Sequence, residues 1–122
     1  MKRPGPKRPP VLSRTRESYL RQNLAPKRPL SGYIYLVRAS NNLTKIGFSG
    51  NFEVRFRSLK THSPLPLEPI IVGYGDGANI FEYELHKRFG EFRSHGEWFS
   101  LPPDAINQAT ELIHSQFQVE GG

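Results

Sequence analysis

The stretch Gly32-Tyr33-Ile34-Tyr35-Leu36-Val37-Arg38-Ala39-Ser40-Asn41-Asn42-Leu43-Thr44-Lys45-Ile46-Gly47-Phe48 decides how this chain folds. Its first part, Tyr33-Ile34-Tyr35-Leu36-Val37, is β-branched and aromatic and reads as a strand. Ser40-Asn41-Asn42 supplies turn chemistry, because short polar side chains bond the local backbone. Thr44-Lys45-Ile46-Gly47-Phe48 is then the return strand of an antiparallel hairpin. Side chains alternate along a strand, so Tyr33 and Tyr35 share one face of the first, and Lys45 and Gly47 one face of the second. A turn between residues 39 and 42 sets Tyr35 opposite Lys45.

Downstream of the hairpin, Asn51 caps a helix reaching to about Lys60. Phe52, Phe56 and Leu59 fall on one side of it. Ser63-Pro64-Leu65-Pro66-Leu67 breaks the pattern as a loop. Pro69-Ile70-Ile71-Val72-Gly73-Tyr74 is a third strand, and its continuous apolar run predicts the best-buried strand of the three. A second helix over residues 79–89 turns Phe81, Leu85 and Phe89 inward, and Gly90 stops it. Glu97-Trp98-Phe99-Ser100-Leu101 is a short extended piece. After Pro102-Pro103 a last helix buries Ile106, Ala109, Ile113 and Phe117. The order predicts an α+β domain over residues 32–118, a small three-stranded antiparallel sheet flanked by helices.

Residues 1–32 are a different kind of chain. They hold nine Lys or Arg against Glu17 alone, a charge of +8, while the remaining residues carry −2 and the whole carries +6. Six of the eleven prolines also lie there, and so little apolar surface cannot offset the entropy of folding. A disordered, basic, proline-rich tail is therefore expected over residues 1–31, with at most a short helical piece at residues 18–24. Such a tail reads as an arm for polyanions, since neutralised phosphates release counterions. The plainer reading is a solubility segment or linker.

The absence of cysteine excludes disulfides and Cys-ligated zinc. Neither a secretory apolar stretch nor a bilayer-spanning one is present, so no membrane partner is expected, and the localisation expected is cytoplasmic, bacterial or phage-encoded. The oligomeric state is left open.

Three places could carry chemistry, each with an ordinary alternative. An ammonium at Lys45 beside Tyr35 favours the phenolate, which suits a general base; strand tyrosines also simply pack, and strand lysines face water. Arg55 stands at the edge of its helix's apolar stripe with no matching acid, as a phosphate clamp would; alternatively it is a solvated charge. Arg57 can pair with Glu53 at i, i+4. Glu82 and His86 share a helix face at the core boundary. One carboxylate can hold Mg²⁺, which keeps most of its waters, and His86 either assists or hydrogen-bonds within an apolar layer. In Gly96-Glu97-Trp98-Phe99, Phe99 suits the core and Trp98 a surface on which bases stack. Tyr33, Arg57, Lys60 and Trp98 are the nucleic-acid contacts expected.

Taken together, these residues resemble the GIY-YIG nuclease superfamily, and in particular its short branch from phage, bacteria and meiotically up-regulated fungal proteins. Tyr33-Ile34-Tyr35 stands for the first signature element and Lys45-Ile46-Gly47 for the second. Arg55 falls at the family's catalytic arginine, Glu82 at its metal-binding glutamate, and Glu82-Tyr83-Glu84-Leu85-His86 and Gly96-Glu97-Trp98-Phe99 match patterns of the branch. Tyr33 departs from the first glycine and Lys45 from the second tyrosine. The resemblance implies a metal-dependent endonuclease hydrolysing DNA, or RNA. Tyr35 aided by Lys45 would be the base, Arg55 would stabilise the phosphate, and Mg²⁺ or Mn²⁺ would sit on Glu82 with His86 nearby. The rival readings are a non-catalytic nucleic-acid-binding module and a scaffold acting through the tail alone.

Overall fold

The computed structural model describes residues 25–119; the tail expectation for residues 1–24, with its short helical piece, lies outside the described residues. The elements run β1 (Gly32–Ala39), β2 (Thr44–Ser49), α1 (Phe52–His62), β3 (Leu67–Gly75) and α2 (Ala78–Arg88). A 3₁₀ turn (Gly90–Phe92), β4 (Arg93–His95), β5 (Trp98–Phe99), α3 (Pro103–Gln116) and β6 (Gln118–Val119) follow.

The sheet has six strands, in the order β4-β5-β2-β1-β3-β6, and all its pairings are antiparallel. This corrects the small three-stranded sheet expected from sequence. The three predicted strands form its middle, and the additional ones are only two or three residues long. Segments that short hold no full cycle of alternation, so periodicity does not reveal them. The central strand β1 is buried more deeply than β3, against expectation. It lies between β2 and β3, and Ile34, Tyr35, Leu36 and Val37 are all at most 1% exposed. Along β3, by contrast, β6 reaches only Gly73 and Tyr74.

The hairpin register also differs from expectation. Tyr35 pairs with Gly47, and Lys45 with Val37. The connection takes in residues 39–43, with Ala39 N–H bonded to Leu43 O and Asn42 N–H to Ala39 O, each at 2.9 Å. Asn42 adopts φ 70°, a left-handed conformation that asparagine tolerates well, and Asn41 Oδ1 accepts from Leu43 N–H at 3.1 Å. Tyr35 and Lys45 remain on one face as diagonal neighbours.

On the other face, Ile34, Leu36, Ile46 and Phe48 pack with Leu85 and Phe89 of α2, Ala105, Ala109 and Ile113 of α3, and Phe99. The Tyr35 face is covered by α1, whose Phe52 ring lies 5.0 Å from that of Tyr35 and stacks on Phe56 at 5.4 Å. No α1 residue is fully buried, so this helix rests on the sheet through one aromatic ridge. Ordered contacts begin before β1. Asn79, at the start of α2, accepts from Leu30 N–H at 2.7 Å and donates to Arg28 O at 3.0 Å, while Gly77 N–H bonds Leu30 O at 3.1 Å.

Candidate functional site

Tyr35 is 1% exposed, and its ring lies directly over Gly47, where any Cβ would collide with it. Glycine at this position is thus what admits a buried tyrosine between β1 and α1. Two residues along β2, Lys45 is also buried, and its Nζ lies 2.9 Å from Oε1 of Glu97, itself 6% exposed. The short β5 creates this ion pair: Lys45 is paired with Trp98, and Ile46 N–H donates to Glu97 O at 3.0 Å. The ammonium also lies 5.5 Å from the centre of the Trp98 ring. Lys45 therefore neither faces water nor stands directly opposite the tyrosine; a carboxylate holds it.

Glu82 and His86 sit one turn apart on α2, both buried, with Nε2 of His86 4.0 Å from Oε2 of Glu82. His86 bridges three elements. Its Nε2 lies 2.9 Å from Ile46 O of β2, and since a carbonyl only accepts, that nitrogen carries the proton. Nδ1 then accepts from Nη2 of Arg93, on β4, at 3.3 Å. The ring meets Phe99 edge-on at 4.8 Å. Burial lowers the His86 pKa from its usual value, the Ile46 hydrogen bond and Glu97 oppose this, and Arg93 and Lys45 add to the lowering. His86 is thus a neutral structural bridge with both nitrogens engaged.

These contacts make up a polar seam at β2 in two parts, the Lys45–Glu97 pair and the set of Glu82, His86 and Arg93. Sequence reasoning missed Glu97 and Arg93 as members. The available signal was an acid in an otherwise aromatic motif with no surface role assigned to it. Arg55, Arg57 and Lys60 lie outside the seam, exposed on α1. Among the described residues Arg57 closes no ion pair with Glu53. The Lys60 Nζ lies 4.9 Å from the Phe56 ring. Tyr33 is half-buried, edge-on to Tyr74 at 4.9 Å, and Trp98 is half-buried at the end of the seam.

No group of three His, Asp or Glu that could hold a metal occurs among the described residues. Glu82 is 0% exposed, whereas Mg²⁺ usually retains several waters. A hydrated ion at Glu82 therefore does not fit this arrangement. No helix among the described residues is long and apolar enough to cross a membrane.

A domain of this build has a family. The T5orf172 domain model matches residues 32–114, and the chain belongs to that family. The chain is also similar to the putative KilA-N domain-containing protein 315L of Invertebrate iridescent virus 6, with 33% identity over 87 residues. The match covers 65% of this chain and spans 37% of that viral protein. No solved structure matches. These findings correct the GIY-YIG resemblance, since the family shown is T5orf172. The two tripeptides that carried it have a packing explanation, as a buried aromatic strand facing a glycine that makes room for its ring.

Proposed function

We infer that the domain is a nucleic-acid-binding module, with DNA, or alternatively RNA, held by its phosphates. The observation that carries this is the pairing of a +8 segment at residues 1–32 with three exposed cations, Arg55, Arg57 and Lys60, on the helix least committed to the core. Cations of this kind neutralise phosphates without reading sequence. Membership in the T5orf172 domain family and the likeness to the viral KilA-N domain-containing protein support the same reading. Anisotropy titration of a labelled duplex and a labelled single strand at several salt concentrations tests it. Affinity should fall steeply with salt, and the triple variant Arg55→Ala, Arg57→Ala, Lys60→Ala should weaken binding. Failure to bind either strand at about 50 mM salt overturns the reading.

A second reading is divalent-dependent hydrolysis of the bound phosphodiester with Mg²⁺ or Mn²⁺. It is favoured by the buried Lys45, a diagonal neighbour of Tyr35 across β1 and β2. In this reading Tyr35, next to Lys45, would take the proton of the attacking water, and Arg55 would steady the phosphate. No step is routed through a metal at Glu82, since that position does not fit one as arranged. Nicking of supercoiled plasmid in Mg²⁺ or Mn²⁺, abolished by both Arg55→Ala and Tyr35→Phe, is the expected result. Absence of any such cleavage removes the reading and leaves binding intact.

A further inference from the structure

A cavity of about 300 Å³ opens between the β1–β2 turn, the C-terminal end of α1 with its following loop, and the β4–β5 hairpin. Leu43, Leu59 and Leu65 supply apolar wall, and the half-buried Trp98 supplies an aromatic plane. Its volume is at the small end of pockets that enclose organic ligands (~300–1,000 Å³), which suits one planar ring system.

The polar groups at its rim keep hydrogen-bonding atoms for a ligand. Asn41 uses Oδ1 to accept from Leu43 N–H at 3.1 Å, which leaves its amide NH₂ to donate. His62 Nδ1 lies 2.9 Å from Ser58 O and so carries a proton, which leaves Nε2 as the ring's second polar atom for a ligand. His95 adds a second exposed imidazole to the lining. Arg57 and Lys60 lie on the same helix as Leu59 and His62, so phosphates drawn to α1 pass close to the pocket mouth.

We propose that this pocket receives one unpaired nucleobase, stacked on Trp98 and bonded along its Watson–Crick edge by Asn41 and His62. Every base carries both a donor and an acceptor on that edge, so the pocket accepts any base. In a duplex the edge is already used, so the site favours single-stranded or locally opened nucleic acid. The inference rests on the nucleic-acid reading above and adds the form of the substrate.

Trp98 is the only tryptophan in the chain, so its emission reports this pocket alone. The full chain is titrated with a thymidine oligonucleotide, an abasic strand of the same length, and a duplex. The thymidine strand should quench Trp98 and bind about tenfold more tightly than the abasic strand, the scale of one stacked base. The abasic strand and the duplex should bind through phosphates and leave the emission unchanged. Leu65→Glu, in an exposed loop, keeps Trp98 as reporter and should erase the difference between the two strands with no change in melting temperature. If the thymidine and abasic strands bind equally and neither quenches, the pocket assignment is overturned while nucleic-acid binding stands. If no strand binds, both are overturned.

Discussion

Lys45 and Glu97 show how tightly single residues are committed in this domain. Each is almost dry, and their 2.9 Å contact is what makes either charge tolerable there. Lys45→Met leaves the Glu97 carboxylate buried alone and should cost about 3–5 kcal/mol in urea denaturation. The double variant Lys45→Met, Glu97→Leu should recover much of that loss, since two apolar side chains can replace a buried pair. Gly47→Ala should destabilise by about 1–3 kcal/mol, because the Tyr35 ring occupies the space of the new methyl. His86 gives the fold a pH dependence of defined sign. Its native pKa lies below 6.5, so the unfolded chain takes up the proton first as pH falls. Stability is therefore fully present above 6.5 and is lost as pH drops from there towards the lowered native value. Melting curves across that window should show the slope, and His86→Gln should reduce it.

Among the elements, α1 is the least anchored. Its Asn51 cap accepts from Val54 N–H at 3.2 Å, and no side chain of the helix is fully buried. Asn51→Ala should cost about 1 kcal/mol, and in native-state hydrogen exchange the α1 amides should open before those of β1. The elements legible in the sequence were the ones long enough to complete a period: β1, β2, β3 and the three helices all stand near their expected places. The hairpin register was not legible. It is set by a turn that closes between Ala39 and Leu43 with Asn42 in a left-handed conformation, which places Lys45 opposite Val37 rather than Tyr35. Strands β4, β5 and β6 were illegible for a different reason, since two or three residues pair only because a neighbouring edge is waiting for them.

Over the whole molecule, charge is divided between a basic N-terminal segment and a domain of slightly acidic balance. Removing residues 1–24 deletes seven of the seventeen Lys and Arg, and should flatten the dependence of nucleic-acid affinity on salt without unfolding the domain, as anisotropy and melting curves together would show. The site was partly legible at this scale. Tyr35, Lys45, Glu82 and His86 were singled out by residue type and spacing, and all four are buried. Their partners were not, because contacts such as Lys45 with Glu97 and His86 with Arg93 join segments that only the folded sheet brings together.

The brevity of the outer strands also governs how other chains can approach. A sheet edge with free N–H and C=O groups invites a foreign strand to extend it. Here one border is the three-residue Arg93–His95, and the other is β3 beyond the reach of the two-residue β6. On β3 that stretch contains Pro69, which lacks an N–H, the charged Glu68, and a register shift opposite Leu36 and Val37. Among the described residues, neither border offers a long, regular row of hydrogen-bonding groups. Short, interrupted borders of this kind disfavour edge-to-edge self-assembly.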